Sequence, residues 1–174
     1  MGKYKLETKL FGEIEVSQKE IYNPGDYPIA HYESYELVLN EKEKIVDLHI
    51  FNVLTNDNIK TIEDMLNNVP QMYEEGKKAI FNGKDSNELI KYYVYFHIEE
   101  LDEIHELFDV DSNDKISFEM FVEKLDLRAI AINVDKENGI DCTLDFSLQK
   151  EYSDELLVVS FNDKHEIYSI THES

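Results

Sequence analysis

Cysteine and arginine are almost missing from this chain of 174 residues, which contains one of each, Cys142 and Arg128. A single cysteine excludes an internal disulfide and is typical of a reducing compartment, so the sequence predicts a cytoplasmic protein. With one arginine, bidentate recognition of phosphate or carboxylate groups is nearly excluded. This scarcity argues against an enzyme that uses nucleotides.

Long apolar runs and glycine-rich loops are missing as well. No apolar run approaches the roughly 18 residues that a membrane helix needs, and the first residues lack the apolar core of a signal peptide. The six glycines form no phosphate-binding loop, and no histidine or cysteine pair has zinc spacing. The sequence therefore predicts no cofactor, no catalytic residue and no membrane partner.

Acidic residues are what the chain has in excess, because 38 aspartates and glutamates against 17 lysines and arginines give a net charge of −21. Such a charge repels nucleic acid and anionic membrane surfaces. It attracts a basic protein or a cation. Solubility alone is the alternative explanation of the same charge.

The spacing of apolar residues changes twice along the chain. It alternates with a period of two over residues 4–51 and 127–171, and it follows a helical period over residues 57–125. A turn is predicted at residues 23–26, where the sequence is NPGD. This order predicts a single α+β domain over residues 1–174, in which N- and C-terminal strands form an antiparallel sheet and the central helices pack on one face.

The longest predicted helix starts at Ser86 as its N-cap and carries an apolar stripe from Leu89 to Leu107, about 20 residues. His97 lies on that stripe and is predicted to be a core histidine with satisfied hydrogen bonds. Tyr92, Tyr95 and Phe96 lie off the stripe and can anchor a partner, with burial against the sheet as the default alternative.

Acidic side chains follow the polar side of this helix. Glu99, Asp102, Glu103 and Glu106 recur at helical spacing, although like charges three or four residues apart destabilise a helix by a few tenths of a kcal/mol. We expect these four carboxylates to form a binding surface for a basic partner. A solvated helix face is the alternative.

The segment 109–120 matches an EF-hand calcium loop in part. Asp109, Asp111, Asn113 and Ser117 occupy ligand positions 1, 3, 5 and 9 of such a loop. Position 12 is Met120 instead of a bidentate glutamate, and position 6 is an aspartate instead of glycine. The sequence therefore favours a polar turn, with Ser117 as the N-cap of the next helix, over a calcium site.

Four segments carry a resemblance to a known family: FGEIEV, YYVYFHIEELDEIHELF, FVEKLDLRAIAI and ELLVVSFNDKHEIYSITHES. Together they resemble the small acidic bacterial proteins catalogued as domain of unknown function two-thousand-and-four. The resemblance implies that the central helix–turn–helix belongs to this domain and not to a calmodulin-like one, and it implies no functional residues. In size and charge the chain is also similar to immunity proteins that neutralise basic toxins.

The leading hypothesis is a non-enzymatic cytoplasmic binding protein that engages a basic protein partner, in its sharpest form a toxin. A degenerate EF-hand-like calcium-binding protein and an uncharacterised enzyme are the alternatives. The enzyme hypothesis would require His49 or His97 to be hydrogen-bonded to a carboxylate in a deep pocket.

Overall fold

The computed structural model describes residues 2–17, 29–52, 55–135, 137 and 139–174. The predicted turn at residues 23–26 lies outside these ranges. The described part contains strands, then helices, then strands, so the predicted α+β class is confirmed. No helix in these ranges is long and apolar enough to cross a lipid bilayer.

Among the described residues, four strands precede the helices and four follow them. The first group is β1 (Lys3–Thr8), β2 (Gly12–Ser17), β3 (Ile29–Leu39) and β4 (Lys42–Phe51). The helices are α1 (Asn56–Asn67), α2 (Val69–Asn82), α3 (Glu88–Glu100) and α4 (Phe118–Lys124). The last strands are β5 (Asp126–Asp135), β6 (Gly139–Ser147), β7 (Leu156–Phe161) and β8 (Ile167–Glu173).

The sheet differs from the single antiparallel sheet that the sequence predicted. β3 to β8 form a six-stranded sheet in chain order, and β4 pairs with β5 in parallel. The sheet is mixed because the block of helices carries the chain back to the end where β4 began, as every parallel connection must. β1 and β2 form a separate hairpin, which Gly12 with φ of +72° allows to turn tightly.

The hairpin is hydrogen-bonded to the first helix, and it contacts the large sheet through the ring of Phe11, which packs edge-on against that of Tyr35 on β3 at 5.1 Å. The backbone N–H of Glu7 donates to Glu63 at 2.7 Å, and that of Lys9 donates to the Asn67 side-chain oxygen at 2.8 Å. Leu6 and Ile14 are buried beneath it. The prediction that all N-terminal strands join one sheet is therefore wrong for β1 and β2.

The helices cover one face of the six-stranded sheet. Alternate residues of each strand, such as Val46, Ile130 and Leu144, are fully buried on this face. α2 approaches the sheet so closely that a Cβ added at Gly76 would lie 3.2 Å from the ring of Phe146. We call this the inner face and its opposite the outer face.

Two features of α3 differ from the prediction. Its N-cap is Asn87, whose side chain accepts hydrogen bonds from the N–H groups of Leu89 and Ile90, and not Ser86. The helix ends at Glu100, well before Leu107, and the chain continues through a turn into a short 3₁₀ helix at Ile104–Phe108. The predicted long helix is thus two elements.

Candidate interaction site

Asn113 holds together the point at which α3 ends. Its Nδ2 donates to the carbonyl oxygens of Ile98 and Leu101 at 3.1 and 2.8 Å, and its Oδ1 accepts from the backbone N–H of His105 at 3.0 Å. One side chain thereby satisfies carbonyls that a helix leaves unpaired at its C-terminus. Glu103 takes a left-handed conformation with φ of 60°, which completes the turn.

The four predicted carboxylates lie around this turn, which we call the acidic segment (residues 99–106). Glu99 lies in the last turn of α3, Asp102 and Glu103 lie in the turn, and Glu106 lies in the 3₁₀ helix. The predicted spacing along one helix is therefore wrong. All four side chains are nevertheless exposed. In the described part of the chain, no lysine, arginine or histidine forms an ion pair with any of them.

The base of the acidic segment is fixed by apolar contacts. Ile104 is fully buried and Phe108 is 6% exposed, and the Phe108 ring stacks on that of Phe121 in α4 at 5.9 Å. The hydrogen bonds of Asn113 hold the backbone between the end of α3 and the 3₁₀ helix in place. The carboxylates therefore project from a framework that need not reorder on binding, which lowers the entropic cost of association.

An aromatic pair borders the acidic segment on α3. Tyr92 is 59% exposed, and its ring stacks with that of Phe96 at 5.8 Å between centroids. Phe96 lies three residues before Glu99, so the two share one side of the helix. A cationic side chain can contact an aromatic face and a carboxylate here at the same time.

The predicted ligand positions of the calcium loop are used differently. Asp111 forms an ion pair with Lys115 at 2.7 Å, and the Asn113 side-chain oxygen accepts from His105. Asp109 ends the 3₁₀ helix in a left-handed conformation with φ of 54°. Ser117 accepts from the N–H of Met120 at 3.1 Å, which confirms it as the N-cap of α4. Within the described residues, no three histidine, cysteine or acidic side chains are grouped to hold a metal ion.

His97 is fully buried, as the sequence predicted. Its Nδ1 lies 2.7 Å from the Tyr93 carbonyl oxygen and its Nε2 lies 2.8 Å from the Ser153 hydroxyl. Because a carbonyl can only accept, Nδ1 carries the proton and Nε2 accepts from Ser153. Burial lowers the pKa of His97 below its ordinary value, so the ring is neutral at pH 7.

No pattern in the sequence indicates a second polar pair next to His97. His172 of β8 contacts the carboxylate of Glu155 through Nε2, and the Tyr93 hydroxyl donates to the Glu155 carbonyl at 2.8 Å. These contacts attach the loop after β6 to α3 and to β8. Neither nitrogen of His97 faces a carboxylate, and His49 packs against the ring of Tyr32 at 4.7 Å. The arrangement that the enzyme hypothesis required is therefore not formed by either imidazole in the described contacts.

Comparisons with protein-family models, with curated proteins and with solved structures find no match to this chain. They give no functional information. The resemblance to the uncharacterised bacterial family stays a prediction.

Proposed function

We propose that this chain is a non-enzymatic, cytoplasmic binding protein whose acidic segment engages a basic protein partner. The observation that carries the proposal is the set of four exposed carboxylates that form no ion pair in the described structure while their backbone is held by Asn113. Unpaired carboxylates on a fixed framework suit a partner that supplies the missing lysines or arginines.

The charge of the whole molecule supports the same partner. A net charge of −21 accelerates the encounter with a basic protein and suppresses encounters with acidic proteins and nucleic acid. The aromatic pair Tyr92–Phe96 adds the kind of residue that dominates binding energy at protein interfaces. A toxin-neutralising role is the most specific form of this proposal, and it rests on charge and size.

A capture experiment with charge-reversed variants tests the proposal. The immobilised chain is exposed to an extract of its source cells at about 0.05 M and about 0.5 M NaCl, concentrations between which screening of exposed charges increases strongly. We expect a basic protein to be retained at low salt and released at high salt. The variant with Lys at positions 99, 102, 103 and 106 should retain about tenfold less of it or worse.

The matched control reverses four other exposed carboxylates that are scattered over the surface: Glu74, Asp85, Glu151 and Asp163. It changes the net charge by the same amount, so a general effect of charge would weaken both variants equally. Retention that depends on the acidic segment only supports the proposal. Equal losses in both variants, or the absence of a basic partner, would overturn it.

A further inference from the structure

The outer face of the six-stranded sheet lies opposite the helices. The strand register aligns two rows of outward residues across all six strands. One row is Tyr32, His49, Ala131, Thr143, Ser160 and Ser169. The next row is Ser34, Asp47, Ala129, Asp145, Val158 and Thr171. The residues of both rows are exposed or half-buried except Val158 and Ser160 on β7, which are 5% and 8% exposed.

Large exposed apolar side chains are concentrated on this face. Within the described ranges the chain exposes seven of them, and only Phe81 and Tyr92 lie on helices. The other five are on the strands: Ile29, Tyr32, Val38, Ile45 and Tyr168. Register and contacts direct all five outward, and Ile45 is 73% exposed. Four of the five lie on the neighbouring strands β3 and β4, and Tyr168 lies on β8 at the opposite edge. Exposed apolar side chains grouped on neighbouring strands mark an interaction surface, whereas single exposed residues need no explanation.

The centre of the outer face is lined by small residues. Ala129, Ala131, Thr143 and Ser160 lie between aromatic side chains on either side. On the β4 side, the ring of His49 stacks with that of Phe51 at 6.0 Å, and Tyr168 on β8 donates its hydroxyl hydrogen to Asp141 at 2.8 Å. The small residues form a trough over which another backbone can approach closely. A helix laid there would complete a three-layer arrangement, which is a common solution for a sheet with one open face.

The charges on the outer face determine which charge a partner must carry. The carboxylates that point outward by register include Glu36, Glu43, Asp47, Asp135, Asp141, Asp145 and Glu173. Arg128 lies beside them in a bulge of β5, where it hydrogen-bonds Ser147, and Lys44 lines a hollow together with Glu36 and Glu43. Burial and the nearby Glu173 raise the pKa of Asp145 to about 6. A second copy of this chain would bring acid against acid, so charge complementarity requires a cationic occupant.

We propose that the outer face of the sheet docks a basic amphipathic helix of a protein partner. The apolar stripe of that helix lies along the trough, and its lysines or arginines meet the outward carboxylates. This is the helix-in-groove mode of recognition. It uses a different surface from the acidic segment and does not depend on it.

Alanine methyl resonances give a direct test, because the chain contains four alanines: Ala30, Ala79, Ala129 and Ala131. Two of them lie in the trough, whereas Ala30 packs against the core and Ala79 lies on α2. The probe is the peptide KLAKLAKKLAKLAK, titrated into the methyl-labelled full chain. We expect Ala129 and Ala131 to shift with saturation while Ala79 does not. The peptide ELAELAEELAELAE should leave all four unchanged.

Two variants and two controls locate the binding. Ile45→Lys and Thr143→Arg should each raise the dissociation constant of the lysine peptide about tenfold. Phe81→Lys adds the same charge at an exposed apolar residue on α2 and should leave it unchanged. The four-lysine variant of the acidic segment should also bind the peptide through the outer face.

The outcomes separate this inference from the proposed function. Loss of peptide binding in the acidic-segment variant, with wild-type binding in Ile45→Lys and Thr143→Arg, would overturn the outer-face inference and leave the proposed function standing. A lysine peptide that shifts no alanine methyl in the trough, or binds no better than the glutamate peptide, would overturn it as well.

Discussion

Asn113 is the side chain on which the shape of the acidic segment depends. It is half-buried and makes hydrogen bonds to Ile98, Leu101 and His105 with both ends of its amide. These partners lie in three different parts of the turn, so no neighbouring polar residue can replace the whole set. The carboxylates of residues 99–106 therefore project from a backbone that the Asn113 side chain holds in place.

Replacing Asn113 with alanine should therefore both destabilise the fold and loosen the acidic segment. We expect the free energy of unfolding to fall by about 1–3 kcal/mol, because the two carbonyls and one N–H group lose their partner. Urea denaturation measures this change, and hydrogen exchange should accelerate at residues 99–106. Asn82→Ala is the control, since that exposed side chain should cost no more than about 0.5 kcal/mol. Similar effects of the two substitutions would contradict this role of Asn113.

His97 makes the stability of the protein depend on pH. Its pKa is lowered in the folded state, so the unfolded chain takes up a proton first as the pH falls below about 6.5. Stability is therefore lost on acidification from about 6.5 towards the folded pKa, and it changes no further below that value. Asp145 has a raised pKa and acts in the opposite direction, so the total curve alone does not isolate His97.

A comparison with His97→Gln removes that complication. The change in denaturation midpoint between about pH 7.5 and about pH 5.5 is measured for both proteins, and the value for the variant is subtracted from that for the wild type. The Asp145 contribution is common to both and cancels, so the remaining difference should be a loss of stability of the wild type at the lower pH. In the wild type, the NMR titration of the His97 ring should have its midpoint below about 6.5. A ring that titrates above that value would show that burial does not control its charge.

Residues such as His97 could be predicted because the apolar stripe of α3 itself indicates burial. The pair Glu155–His172 could not be predicted, since it joins a loop to the last strand and neither residue interrupts a local pattern. The four carboxylates were found by their charge and exposure, but their arrangement depends on Asn113, whose pattern suggested a calcium ligand.

Among the secondary-structure elements, α3 shows that apolar periodicity identifies buried residues but does not locate the end of a helix. Leu101, Ile104 and Leu107 continue its apolar stripe, yet they belong to a turn and a 3₁₀ helix. Their side chains still pack on the core, with Ile104 fully buried. The spacing identifies which residues are buried. The helix itself ends where Asn113, which follows it in the chain, donates hydrogen bonds to the carbonyl oxygens of Ile98 and Leu101.

The alternating pattern also did not predict whether neighbouring strands run parallel or antiparallel. Alternating residues identified β4 and β5, and the residues predicted inward, Val46, Leu48 and Ile50, are fully buried. Alternation is the same for parallel and antiparallel neighbours when one face is exposed. The parallel pairing of β4 with β5 depends on where the helices between them return the chain.

Gly76 provides a prediction about how α2 packs on the sheet. An isolated helix gains about 1 kcal/mol when an interior glycine becomes alanine. We expect Gly76→Ala to destabilise this protein instead, by about 1–3 kcal/mol, because the new methyl group would lie 3.2 Å from the Phe146 ring. Thermal or urea unfolding measures the difference. In a Phe146→Leu background the same substitution should cost less, and an equal cost in both backgrounds would contradict the contact.

For the whole molecule, the distribution of charge separates two surfaces. The acidic segment presents carboxylates beside an aromatic pair, and the outer face presents carboxylates around an apolar trough. Both attract cationic partners, and the net charge of −21 acts on every approach to either. Composition predicts a basic partner, and the folded arrangement of the strands was required to find the second surface.

The most direct test of the central claim is a map of the carboxylates that touch the captured basic partner. Zero-length carbodiimide coupling joins a carboxylate only to a lysine in direct contact, and all 38 acidic residues of the chain compete for it. We predict that the cross-links identified by mass spectrometry concentrate at Glu99, Asp102, Glu103 and Glu106 and disappear at high salt. Cross-links scattered over the surface, or none in residues 99–106, would contradict the account.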